Sequence, residues 1–175
     1  ASQFNYQIFH AIDMAPQLLE KARERLLSLD INIYEADFNE LPHRLHFDIA
    51  FSNMALHWSQ DFLKTIHAVS ALLSQNGTLF FSIPIAGTLS ELHSYFDHNQ
   101  FLTVETVRKT LAACHFTILD MTQEHIGLDF EDTYAALQSI KYTGANYVQQ
   151  RLSVGLRGKS FIGRHSIKRL TYAIL

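Results

Sequence analysis

At 175 residues, with 47% hydrophobic and 18% charged side chains, the chain has apolar content enough for a single well-buried core. Its one cysteine, Cys114, excludes an intrachain disulfide, and its neighbours Ala112, Ala113 and Phe116 suggest a buried packing thiol. No apolar run is long enough for a membrane span, and the net charge of −3 is unevenly spread. All seventeen acidic residues precede position 141, whereas Lys141, Arg151, Arg157, Lys159, Arg164, Lys168 and Arg169 supply half of the fourteen basic ones. Such a stretch reads either as a solvated face or as a surface for an anionic partner.

In chain order, Tyr6–Ile12 is an apolar run that reads as a buried strand ending at Asp13. Pro16 stands where a first helical turn tolerates it, and Leu18, Leu19, Ala22, Leu26 and Leu29 recur at helical spacing. Residues 31–36 form a second strand ending at Asp37. After a turn around Pro42, residues 47–51 form a third, ending in Ser52-Asn53. A helix over Asp61–Leu73 is expected to stop at Asn76-Gly77, with a fourth strand over Thr78–Ile83. Helices near Leu89–Phe96 and Val104–Ala113, a strand near Phe116–Met121 and a helix near Thr133–Tyr142 follow. This alternation predicts an α/β fold with a mostly parallel sheet and helices on both faces, as one domain.

Ligands of open parallel sheets bind beyond the carboxyl ends of the strands, and three of those ends are polar: Asp13, Asp37 and Asn53. A carboxylate can accept hydrogen bonds from both hydroxyls of a ribose, and a second, one strand over, from the exocyclic amine of an adenine. Met14 and Phe38 offer apolar surface to the ring. Each aspartate alone reads equally well as a cap or turn former; the pair reads as an adenosine clamp. Adenosine is common to nicotinamide dinucleotides and S-adenosylmethionine, but no Tyr-x-x-x-Lys pair supplies the acid of a short-chain dehydrogenase.

The segment Phe47-Asp48-Ile49-Ala50-Phe51-Ser52-Asn53-Met54-Ala55-Leu56-His57-Trp58 resembles the fourth strand and following loop of class I S-adenosylmethionine-dependent methyltransferases. Ala11-Ile12-Asp13-Met14-Ala15-Pro16, Gly87-Thr88-Leu89-Ser90-Glu91-Leu92, Phe101-Leu102 and Ser139-Ile140-Lys141-Tyr142-Thr143-Gly144-Ala145-Asn146 resemble, in order, the malonyl-acyl-carrier-protein O-methyltransferases of biotin synthesis. His57 departs from that pattern, where glutamine is expected, and Asp97-His98-Asn99-Gln100 looks shortened. The resemblance implies a Rossmann-like fold, S-adenosylmethionine as cofactor, an acyl carrier protein bearing a malonyl thioester as substrate, a cytoplasmic setting, and no nucleic-acid or membrane partner. It implies a substrate-side helical region around 87–113 and 133–170.

In that family a Gly-x-Gly-x-Gly turn precedes the strand corresponding to Tyr6–Ile12. The first glycine here is Gly77. The chain is also expected to stop at Ala173-Ile174-Leu175 before a terminal strand, leaving the fold incomplete at both ends. Candidate catalytic residues are His57, which reads at least equally well as a loop histidine packed beside Trp58, and Lys141 and Arg151, the two cations as holders of a carboxylate. A phosphate loop at Ser153–Ser160 lacks its first glycine and a preceding strand, and His43 with His46 lacks a second ligand pair, so no metal is expected. Two other readings stay open: a methyltransferase for another small molecule, such as a quinone precursor, and a non-catalytic remnant.

Overall fold

A computed structural model describes residues 8–27, 29–38, 46–92, 101–142 and 167–175. The described chain falls into two compact units. The first holds the residues up to Phe51 together with Ser59–Phe80; the second holds Ser52–Trp58 and the residues from Phe81 onward.

In the first unit, β1 (Phe9–Asp13) and β2 (Ile31–Glu35) pair in parallel, with Asp13 opposite Glu35. Between them runs α1 (Pro16–Arg25), which begins with a proline and carries Arg23 and Arg25 in its last turn, where positive charge complements the helix dipole. The helix is shorter than its apolar spacing predicts. Leu26 already lies outside helical geometry as the C-cap, Leu29 follows in the turn, and Leu18 is exposed, so Leu19 alone of that stripe is fully buried.

Next come β3 (Phe47–Asn53), α2 (Phe62–Leu72) and β4 (Leu73–Ser82), the two strands forming a second two-stranded sheet. Asp61 starts α2 by accepting the Lys64 amide at 3.1 Å. Val69 and Leu72 of α2 pack against Phe38, Phe47, Ala50, Leu73 and Leu79. The expected stop at Asn76-Gly77 is corrected: the helix ends at Leu72 and β4 begins at once. Asn76 does adopt a left-handed conformation (φ 67°), but within β4. A Cβ at Gly77 would lie 2.9 Å from the Ser74 carbonyl oxygen and 3.1 Å from that of Phe47, so backbone crowding requires glycine there.

In the second unit, α3 (Val104–Ala113) starts where sequence places it, because the Thr103 hydroxyl caps the Thr106 amide. Residues 116–121 are not a strand; β5 (Glu124–Asp129) lies further on. After α4 (Thr133–Tyr142), β6 (Arg169–Ile174) runs antiparallel to β5. The expectation that the chain stops before such a strand is therefore wrong. Beyond β4, Ile83 exchanges two backbone hydrogen bonds with Leu175, and Ile85 donates to Ala173, which puts residues 83–85 along the other side of β6. Leu89, Leu92, Ala136, Ile140, Ile167 and Leu170 form the buried core around it.

Where helix was expected over Leu89–Phe96, the described part is a short 3-10 turn at Ser90–Leu92. Gly87 (φ 104°) and Leu89 (φ 56°) are both left-handed, and this curls the chain so that side chains continue what residues 83–85 begin. The Thr88 hydroxyl donates to the Ala173 carbonyl at 2.8 Å and accepts its amide at 3.1 Å. Glu91 accepts the Thr171 amide at 3.1 Å and the Thr171 hydroxyl at 2.5 Å.

Candidate functional site

Asp13 and Asp37 lie at the carboxyl ends of neighbouring parallel strands in the first unit. Asp13 closes β1, and Asp37 follows the end of β2 by two residues, after Ala36 has donated its amide to the Asp13 carbonyl at 3.1 Å. One carboxylate oxygen of Asp13 accepts the Ala15 amide at 2.8 Å, which fixes the exposed side chain at the start of α1. The turn-forming reading of Asp13 thus has its hydrogen bond. Each carboxylate oxygen carries two lone pairs, so acceptor capacity remains for a vicinal diol and the chemistry of the group fits a ribose.

Met14 is exposed next to it. Phe38, in contrast, is partly buried against the Val69–Leu72 cluster of α2, so the core takes up ring surface assigned from sequence to a ligand. Glu35, the register partner of Asp13, is a third carboxylate at these strand ends, itself exposed, that sequence reasoning passed over. Its signal was available in the equal spacing of the two strands.

In the second unit, Asn53 ends β3 and Met54 turns the chain in a left-handed conformation (φ 51°). That conformation is unfavourable for a side chain without local support. Ser82 supplies the support: its carbonyl accepts the Met54 amide at 2.9 Å, and its hydroxyl donates to the Asn53 side-chain oxygen at 2.6 Å. The polar strand end is thereby held in one orientation.

A 3-10 turn, Leu56–Trp58, follows and buries Leu56. His57 stands in that turn with its ring centroid 4.7 Å from Trp58 and 6.2 Å from Phe101. Burial lowers its pKa to about 4, so the imidazole is neutral near pH 7. Its Nδ1 is buried and has no hydrogen-bond partner.

Of the two cationic candidates, Lys141 lies in the last turn of α4, and Arg151 is outside the described residues, as are Arg157, His43, the Ser153–Ser160 loop and Asp97–Gln100. Arg169 forms an exposed ion pair, in which both oxygens of Asp129 accept from it, at 3.1 and 3.3 Å. The acid-free stretch is therefore partly neutralised by an acid from earlier in the chain. Cys114 is buried, and burial raises its thiol pKa, as a packing residue requires.

Residues 1–81 match the family model described as a methyltransferase domain. That stretch of the chain carries the signature of a methyltransferase domain. Among curated proteins, the chain is 33% identical over 147 residues to malonyl-acyl-carrier-protein O-methyltransferase 2 of Coxiella burnetii, an alignment covering 83% of the chain and 59% of that protein. It is 25% identical over 158 residues to the malonyl-acyl-carrier-protein O-methyltransferase of Legionella pneumophila, covering 85% and 56%. The chain thus spans between half and two thirds of the length of these relatives.

Among solved structures, the YcgJ protein of Bacillus subtilis has a TM-score of 0.67 at 14% identity, over 96% of this chain and 80% of that one. An S-adenosylmethionine-dependent methyltransferase of Clostridium acetobutylicum has a TM-score of 0.58 at 15% identity, over 96% and 74%. These likenesses establish the α/β fold of class I methyltransferases for this chain.

Proposed function

We propose that this methyltransferase chain carries the S-adenosylmethionine-dependent transfer of a methyl group to the free carboxylate of a malonyl thioester on an acyl carrier protein, as part of biotin synthesis in the cytoplasm. The observation that carries the cofactor half of this reading is the pair of aspartates at the carboxyl ends of β1 and β2. Asp13 accepts from the ribose hydroxyls, Asp37 from the adenine amine, and Met14 and Phe38 lend apolar surface to the base. Asn53 is the polar strand end for the methionine portion. The substrate half rests on the curated relatives named for that acceptor.

When bound, the sulfonium supplies the methyl group. The bond from sulfur to methyl would break as the bond from carboxylate oxygen to methyl formed, so one positive and one negative charge would be lost together and no proton would move. A carboxylate with a pKa near 4 is already ionised at neutral pH, and no general base is required. The protein's contribution is to align the two reactants and exclude water, effects worth roughly 7–11 kcal/mol in well-oriented systems. Lys141 and Arg151 are the cations proposed to hold the carboxylate, and the basic stretch from Lys141 onward, less Arg169, is proposed to face the acidic carrier protein. The substrate side is assigned to residues 87–113 and 133–170 of one methyltransferase domain.

Titration calorimetry with S-adenosylhomocysteine tests the cofactor reading. Asp13→Asn and Asp37→Asn should each weaken binding about 10–100-fold, the value of a charged hydrogen bond. Absence of measurable heat with the unaltered chain would overturn it. Methyl transfer to a malonyl thioester in preference to a quinone precursor tests the acceptor.

A further inference from the structure

His57 carries an unexplained feature. Its Nδ1 is buried with no partner, although the residue stands on a well-fixed turn. Buried polar atoms are almost always satisfied, and those that are not commonly mark a place where a ligand or a water supplies the missing bond. The turn is anchored at both ends: the Trp58 amide donates to the Ala55 carbonyl at 3.0 Å, and Met54 is tied to Ser82. Trp58 and Phe101 wall the imidazole on two sides, so the orphaned atom sits in apolar surroundings where a hydrogen bond is strong.

We propose that His57 donates a hydrogen bond from Nδ1 to the carboxylate that receives the methyl group, and so sets the orientation of the acceptor. This rests on the reading above that the acceptor is a carboxylate. A neutral imidazole has one N–H and one lone pair, and the low pKa that burial gives His57 keeps it neutral at working pH. A neutral donor steers one carboxylate oxygen while leaving electron density on the other, the nucleophile. A full cation at the same place would withdraw more of that density. Donation from Nδ1 requires the tautomer protonated there, with Nε2 as the lone-pair nitrogen.

The experiment compares the unaltered chain with His57→Phe, which keeps a ring and loses both nitrogens, and His57→Asn, whose amide N–H occupies the Nδ1 position. His57→Phe should raise KM for the malonyl thioester or lower kcat by about tenfold or more, with the KM for S-adenosylmethionine changed less than about twofold. His57→Asn should recover most of that loss. The thermal midpoint of His57→Phe should equal or exceed that of the parent, because the unpaired atom is gone. Parental kinetics in His57→Phe overturn the inference alone, as does His57→Asn performing no better than His57→Phe. An unaltered chain that binds S-adenosylhomocysteine but transfers nothing to the malonyl thioester overturns the acceptor reading and this inference together.

Discussion

At the scale of single residues, the two units use polar groups in opposite ways. Asp13 is exposed and half-committed, with one oxygen on the Ala15 amide, whereas His57 is sequestered with a nitrogen that bonds to nothing. The histidine has a measurable consequence. Its imidazole titrates near 6.5 when unfolded and at about 4 when folded, so between those values the unfolded state binds a proton that the folded state does not. Stability should fall as pH is lowered from 6.5 and stop falling for this reason below about 4; thermal midpoints taken at half-unit steps should show a flatter profile in His57→Phe. Sequence singled out His57 because of its place after a strand end, but its ring also meets Phe101, far along the chain, and no local pattern announces that. Phe38 shows the same limit: its ring was assigned to a ligand, and the packing of α2 takes up part of it.

Among the elements, the first four strands and the capped helix starts were legible, and the later strands were not. Pro16, Asp61 and Thr103 mark helix starts by chemistry that acts within three residues, and α2 and α3 begin within a residue of where those signals put them. The apolar residues Phe116, Ile118 and Met121 mimic a strand, yet the pairing goes to Glu-His-Ile-Gly-Leu-Asp, a polar stretch whose partners in β6 lie about 40–50 residues downstream. Strand formation there is decided by the partner, which local composition does not encode. Glu91 belongs at this scale as the side chain that stands in for a missing strand beside Thr171. Burial by itself would raise its carboxyl; the hydroxyl and amide of Thr171 and the charge of Arg169 outweigh that and hold it below the usual carboxylate value. A depressed folded pKa stabilises the protein above the unfolded value of 4.5, and that contribution is lost as pH falls through the folded value. Glu91→Ala should lower stability by about 1–3 kcal/mol at pH 7 in denaturant titration, and by less at low pH. Gly77→Ala should cost about 1–3 kcal/mol in the same measurement, since the new methyl meets two backbone oxygens that cannot swing aside.

For the molecule as a whole, the fold class was readable from the alternation of strands and helices, and the similarity to solved methyltransferases agrees with it. The distribution of exposed apolar surface was not. In the first unit, Ile8, Ile12 and Tyr34 on or beside β1 and β2, Ile49 and Phe51 on β3, and Phe80 on β4 are all exposed, Phe51 at 77%. Alternation along each strand should have turned such residues inward, and sequence alone gave no sign that these faces stay open. The isolated chain should therefore bind an environment-sensitive hydrophobic dye, and Phe51→Lys should reduce both that signal and aggregation without lowering the thermal midpoint.

The placement of β6 between two antiparallel neighbours also bears on how the second unit comes into being. Its hydrogen bonds reach back to Ile83, Ile85 and Thr88, about 85–90 residues earlier, and to β5, so neither half can assemble from neighbouring sequence. Loop closure must come first and the reward afterwards. The amides of Ile83, Ile85, Ala173 and Leu175 should then acquire protection from solvent exchange simultaneously, and later than those of α3, whose contacts span a single turn.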